Sequence, residues 1–198
     1  MIDMYVLAQE CAPTVSNVLM QSLVRKESAF KPYAIGMDSK QGTVKQPQTL
    51  EEAIATVKQL KKEGRTFSIG LAQIHIANVE KYNLSLEQAF DPCTNLHTGE
   101  LILNAFYKQS INYGYKDTSA LWAMLRGYNC GSINCAVSNQ YAHDILSYAN
   151  MLRDAQVNVA MNYEIKNIKV EDAPIKEEEK DIFSNNPDSQ KDIFSNNL

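Results

Sequence analysis

Apolar residues return every three or four positions in segment after segment of this chain, and beyond Ala155 the recurrence stops. That spacing is one face of a helix, so the chain is predicted to be mostly helical and to pack one core up to about residue 157. Val15, Val18, Leu19 and Leu23 form the first such row. In "TLEEAIATVKQLKKEG", Ala53, Ile54, Val57 and Leu60 form the next. Thr49 with Glu52 fits a capping box at its start, and Gly64 is placed to stop it. Further helices are predicted from near Pro92, over "TSALWAMLRGYNCGS" and over "NQYAHDILSYANMLRDAQ", with Trp122 and Met124 at core spacing and read as packing. "KPYAIG" reads as a turn into a short strand, and "TFSIGLAQIHIANVEKYN" as a strand that turns at Gly70 into a helix. "MDSKQGTVKQPQ" reads as a loop with room for one short hairpin. The expected class is α+β, mostly helical, with one small sheet or hairpin in a single domain over residues 1–157.

Charge is divided unevenly. Residues 1–157 carry 14 Lys or Arg against 14 Asp or Glu, and residues 158–198 carry 5 against 9. A neutral body without a basic stripe gives a phosphate backbone little to bind, so nucleic acid is not an expected partner. No apolar run reaches the roughly 18 residues that would span a bilayer, so no membrane span is expected. The opening "MIDMYVLAQECAPTV" lacks the basic region and long apolar core of a typical signal peptide. The segment 158–198 contains "EDAPIKEEEKD" and two copies of "KDIFSNN", at 180–186 and 191–197. It is expected to be disordered, because it offers too little apolar surface to offset its ordering entropy. Neutral duplication is the simpler reading of the repeat; a docking peptide presented twice is the sharper one.

Of the four cysteines, Cys11, Cys93, Cys130 and Cys135, no two stand in a C-x-x-C pair, and His75, His97 and His143 do not fall at metal-ligand spacing beside them. No metal site and no cofactor are expected. Disulfides and buried free thiols both remain open readings of the four.

One position interrupts the apolar logic. Glu27 continues the row Leu19, Leu23 at the next helical step, so a carboxylate points toward the core side. Alone it reads as a solvated helix-end acid. In its company it reads otherwise: "ESAFKPYAIG", "SIGLAQI", "DPCTNLHTGELIL", "MLRGYNCGS" and "QYAHDIL" occur in that order. This set, running from about Leu7 to about Leu152, resembles the lytic transglycosylase domain of the lysozyme superfamily. The "LAQECAP" opening and the "DPCTNL" run are most similar to the transglycosylases of type IV secretion and conjugation systems. The 46 positions from Glu27 to Gln73 leave room for the helix from Leu50 to Glu63 that the general family often lacks.

The resemblance implies a lysozyme-like fold and assigns residues. Glu27 matches the single catalytic acid of the Glu-Ser pair, and Ser28 its partner. Gln73 matches the glutamine of the Gly-Leu-Met-Gln motif, which the family places beside the sugar's N-acetyl group. Here Ala72 replaces the methionine, which is expected to shorten one wall of the groove. Tyr128 and Asn129 match the Tyr-Asn motif, commonly flanked by alanines where this chain has Gly127 and Cys130. Tyr141 matches a later tyrosine that approaches the acid. His75, with Ile74 and Ile76 beside it, is expected to be structural.

Most glycosidases use two carboxylates. Asp38, Asp91 and Asp144 are better explained by turns, caps and solvent, which leaves Glu27 alone. The resemblance implies cleavage of the bond between N-acetylmuramic acid and N-acetylglucosamine in peptidoglycan, with a 1,6-anhydro product. Desolvation at the end of its apolar row would raise the pKa of Glu27, as a general acid needs. The implied location is the periplasm. Implied partners are glycan strands and secretion-system proteins, the latter reached through the tail. A wall-binding assembly component without catalysis and a lysozyme-type hydrolase are the alternatives. In an oxidising periplasm at least one disulfide is expected. Of the three full connectivities, the one pairing Cys11 with Cys93 is favoured, since both stand at helix starts or ends.

Overall fold

Asp3 opens the first helix, its carboxylate accepting the Tyr5 N–H at 2.9 Å and the Val6 N–H at 3.3 Å. That helix, α1 (Met4–Cys11), packs on α2 (Asn17–Ser28), whose start is capped by Ser16 accepting the Leu19 N–H. The chain then forms β1 (Ile35–Met37), α3 (Leu50–Lys62), β2 (Phe67–Ile69), β3 (Ile74–His75), α4 (Ile76–Lys81) and α5 (Leu86–Phe90). The long α6 (Pro92–Tyr113) follows, then α7 (Asp117–Cys130), a 3₁₀ turn (Ala136–Ser138) and α8 (Asn139–Ala155). The computed structural model describes residues 3–38 and 41–155. The acidic segment 158–198 and its repeat lie outside them. The described residues divide into two compact units, up to Glu100 and from Leu101 onward.

The first unit holds the sheet, three antiparallel strands in the order β1-β2-β3. Ile35 faces Ile69 and Met37 faces Phe67 across the first pair; Ile69 faces Ile74 across the second. On one face Ile35, Phe67, Ile69 and Ile74 are buried and Met37 is half-buried, while Gly36, Ser68 and His75 on the other are partly open. At the outer edge of β1, the side-chain amide of Gln46 accepts the Ile35 N–H at 3.0 Å and donates to the Ile35 carbonyl at 2.8 Å. The hub behind the β2–β3 turn is Asn95 on α6, fully buried. Its Nδ2 donates to the carbonyls of Ile69 (3.1 Å) and Ala89 (2.7 Å), and its Oδ1 accepts the Ala72 N–H (2.7 Å). Gly70 meets this hub with φ of 81°, and a Cβ there would collide with the Asn95 amide, so the turn requires glycine twice over.

Two ties hold the α1–α2 junction to α6. Cys11 and Cys93 form the expected disulfide, with Cα atoms 5.1 Å apart, and the buried Glu100 accepts both the N–H and the hydroxyl of Thr14 at 2.6 Å. A second disulfide, Cys130–Cys135, lies in the second unit. There α7 packs on α8 and the 3₁₀ turn touches both. Gly127 lets the ring of Phe106 lie directly on α7, and Trp122 and Met124 are buried as expected. Among the described residues, no helix is long and apolar enough to cross a membrane.

The mostly helical α+β class with one small sheet is as the sequence indicates. Three local details differ. The segment after Gly70 forms the two-residue β3 before its helix begins, and residues 41–49 contain no strand. At α3, Thr49 accepts the Glu52 N–H at 3.2 Å, but the Glu52 carboxylate accepts the Gln48 N–H at 2.8 Å and so closes the box one residue further upstream.

Candidate active site

The acid sits where α2 stops. Glu27 and Ser28 are its last two residues, and Ala29 and Phe30 then both take left-handed backbone, φ 49° and 64°. Consecutive non-glycine residues in that region are uncommon. They are held by the Ala29 N–H donating to the Arg25 carbonyl and the Lys31 N–H donating to the Ser28 carbonyl, each at 3.1 Å. The chain therefore leaves the helix axis directly after the acid. Glu27 is half-buried, in contrast to exposed Arg25 and Lys26 beside it. Ser28 is buried, and its hydroxyl donates to the Val24 carbonyl at 3.1 Å, the back-bond of a helix hydroxyl.

Gln73 closes the β2–β3 turn, itself left-handed at φ 48°. Its N–H donates to the Gly70 carbonyl at 3.2 Å. Its Nε2 donates to that same carbonyl at 2.8 Å and to the Ala34 carbonyl at 3.1 Å. Both amide hydrogens are thereby turned inward. The amide oxygen lies over Gly36, where any Cβ would collide with it. The glycine inside the β1 run is the sequence signal for this seat, since glycine in a strand marks a close approach. Ala72, expected to border a groove, is fully buried instead.

The three aspartates weighed as further carboxylates are engaged structurally. Asp91 accepts the N–H and hydroxyl of Thr94 at 2.8 Å and caps α6, and Asp144 accepts from Gln140 at 2.7 Å. His75 caps α4 through Nδ1, which accepts the Ala77 N–H at 3.2 Å. The proton therefore resides on Nε2, which donates to Asp38 at 3.3 Å. That bond holds the Asp38 carboxyl below its usual value, against burial and with help from Thr66.

In the second unit, Tyr128 is half-buried and Asn129 exposed at the end of α7, and Tyr141 is buried in the first turn of α8. Asn129 Nδ2 donates to Ser138 Oγ at 2.8 Å, joining the end of α7 to the turn that leads into α8. Glu27, Ser28 and Gln73 thus belong to the first unit, and Tyr128, Asn129 and Tyr141 to the second.

Comparison with known proteins matches residues 4–148 to the family described as the transglycosylase SLT domain. The Type IV secretion system protein virB1 of Brucella abortus is 40% identical over 142 residues, covering 72% of this chain and 55% of that protein. Protein virB1 of Agrobacterium fabrum is 26% identical over 145 residues, covering 73% and 58%. The chain spans about half the length of these relatives. No solved structure matches it. The match takes in α1 through most of α8 and every residue singled out above, and the chain belongs to the transglycosylase SLT domain family, with its lysozyme-like fold.

Proposed function

We propose that this protein is a peptidoglycan lytic transglycosylase, acting in the periplasm to open the wall locally for a type IV secretion or conjugation apparatus. The observation that carries the reading is Glu27, a half-buried carboxylate on the last turn of α2, within a chain of the SLT family. The names of the virB1 relatives support the secretion setting.

The chemistry needs one acid. Glu27 protonates the oxygen of the bond between N-acetylmuramic acid and N-acetylglucosamine while the substrate's own N-acetyl oxygen assists at the anomeric carbon. The resulting carboxylate then takes the proton of the muramic C6 hydroxyl as that oxygen bonds to the anomeric carbon. The 1,6-anhydro ring closes and no water is consumed. Substrate contacts are assigned to Ser28 and Gln73 in the first unit and to Tyr128, Asn129 and Tyr141 in the second. Secretion-system proteins are proposed partners through the segment after residue 157.

Digestion of purified peptidoglycan followed by mass spectrometry of the muropeptides tests this. Anhydro ends lighter by one water are expected; a digest with only reducing muramic ends would make the protein a hydrolase. Gln73 has its own test in Gly36→Ala. The new methyl group displaces the amide from its seat, and glycan binding should weaken about tenfold, the weight of one hydrogen bond. Calorimetric titration with soluble glycan strands reads this; unchanged affinity would remove Gln73 from the binding surface.

A further inference from the structure

The Cys130–Cys135 disulfide closes a ring of six residues directly after the Tyr128-Asn129 pair. Within the ring, Gly131 takes φ of 81° as the cap of α7, Cys135 N–H donates to the Ser132 carbonyl at 3.2 Å, and Asn134 N–H donates to Ser132 Oγ at 3.3 Å. The ring is anchored to the core on one side. Tyr115, buried, donates its hydroxyl to Asn134 Oδ1 at 2.7 Å, and its own ring lies under the Arg126 guanidinium at 5.6 Å.

The other side of the ring reaches Asn129. Ser138 is fully buried; its hydroxyl donates to Cys135 Sγ at 3.6 Å and accepts from Asn129 Nδ2 at 2.8 Å. A hydroxyl has one proton. With that proton directed at the disulfide sulfur, Ser138 offers Asn129 only lone pairs, so the amide presents its N–H end to Ser138 and its oxygen the other way. A Cys135 thiol would instead carry a proton of its own, and a Ser138 hydroxyl free to turn would accept from the N–H end of the amide or donate to its oxygen.

Resting on the reading of Asn129 as a substrate contact, we propose that the Cys130–Cys135 disulfide is a positioning element: acting through Ser138, it fixes the direction in which Asn129 presents its amide to the glycan. The ring works by preorganisation, sparing the bound state the ordering of one side chain and one short loop.

A double-mutant cycle tests it on the full chain, with soluble glycan strands as the probe and Kd, kcat and thermal midpoint as readouts. Asn129→Ala should raise Kd about tenfold. The pair Cys130→Ser with Cys135→Ser should raise Kd by a similar factor and leave kcat within about twofold, because the proposal gives the sulfurs no part in the proton transfers. Combined with Asn129→Ala, the pair should add nothing further, a non-additivity that a purely structural disulfide does not produce. Additive losses, or an unchanged Kd in the Cys variant, would overturn the clamp alone. No loss in Asn129→Ala would overturn the assignment of Asn129 and the clamp with it. If the Cys variant fails to fold, Ser138→Ala keeps the bond and cuts the link; the same rise in Kd supports the proposal and an unchanged Kd overturns it.

Discussion

Replacing Glu27 with Gln should lower the rate of peptidoglycan cleavage by at least about 10²-fold while leaving fold and glycan affinity in place. Glutamine has the size of glutamate and keeps its hydrogen bonding, so the last turn of α2 and the left-handed Ala29 and Phe30 after it have no reason to move. On the proposed mechanism, what is lost is the proton that leaves for the glycosidic oxygen and the base that takes one back from the C6 hydroxyl. Muropeptide release measured beside the thermal midpoint and the Kd for glycan strands separates these effects. A variant that clears peptidoglycan at near wild-type rate would move the acid elsewhere. Three carboxylates described above are already committed: Asp91 to capping α6, Asp38 to His75, and Glu100 to Thr14.

Removing the Cys11–Cys93 bond should cost about 4 kcal/mol of stability. The bond spans 82 positions, and in the loop-closure account a loop of that length loses close to the maximum entropy a cross-link removes from the unfolded chain. Domains of this kind have only about 5–15 kcal/mol in total, so Cys11→Ser with Cys93→Ser should sit near the edge of folding at 37 °C. Denaturant unfolding of this variant and of the Cys130, Cys135 variant compares the two bonds. The shorter ring should cost about 2 kcal/mol. A loss below about 1 kcal/mol for the long bond would show that the Thr14–Glu100 tie alone holds the junction.

The helices were legible because each long one repeats its apolar spacing several times and carries its own punctuation. Thr49 and Gly64 bracket α3, Gly131 ends α7, and the pairing of Cys11 with Cys93 follows from helix ends that α1 and α6 do place 5.1 Å apart. The strand β3 was not legible. Two residues, Ile74 and His75, cannot display a period of two before Ile76 begins a helix, and the turn ahead of them depends on Asn95, more than twenty positions away. The same limit hid the seat of Gln73 against Gly36 and the ring after Asn129. Motif order named Glu27, Ser28, Gln73, Tyr128, Asn129 and Tyr141, and local pattern gave the helices of all but Gln73, which sits in a turn where the pattern indicates a helix. The bonds that orient the side chains run to residues such as Ala34 and Ser138, whose types carry no motif.

A sheet of three short strands has two open margins, and an unpaired margin is a template on which a second chain can add a strand. In β1 that hazard is met by one side chain. Gln46, by taking both the N–H and the carbonyl of Ile35, occupies the groups that a foreign strand would need at the start of its landing site. At the secretion apparatus proposed above, copies of this chain would meet at high local density. With those groups taken, Gln46→Ala is the substitution expected to raise aggregation, which light scattering of the two proteins at equal concentration checks.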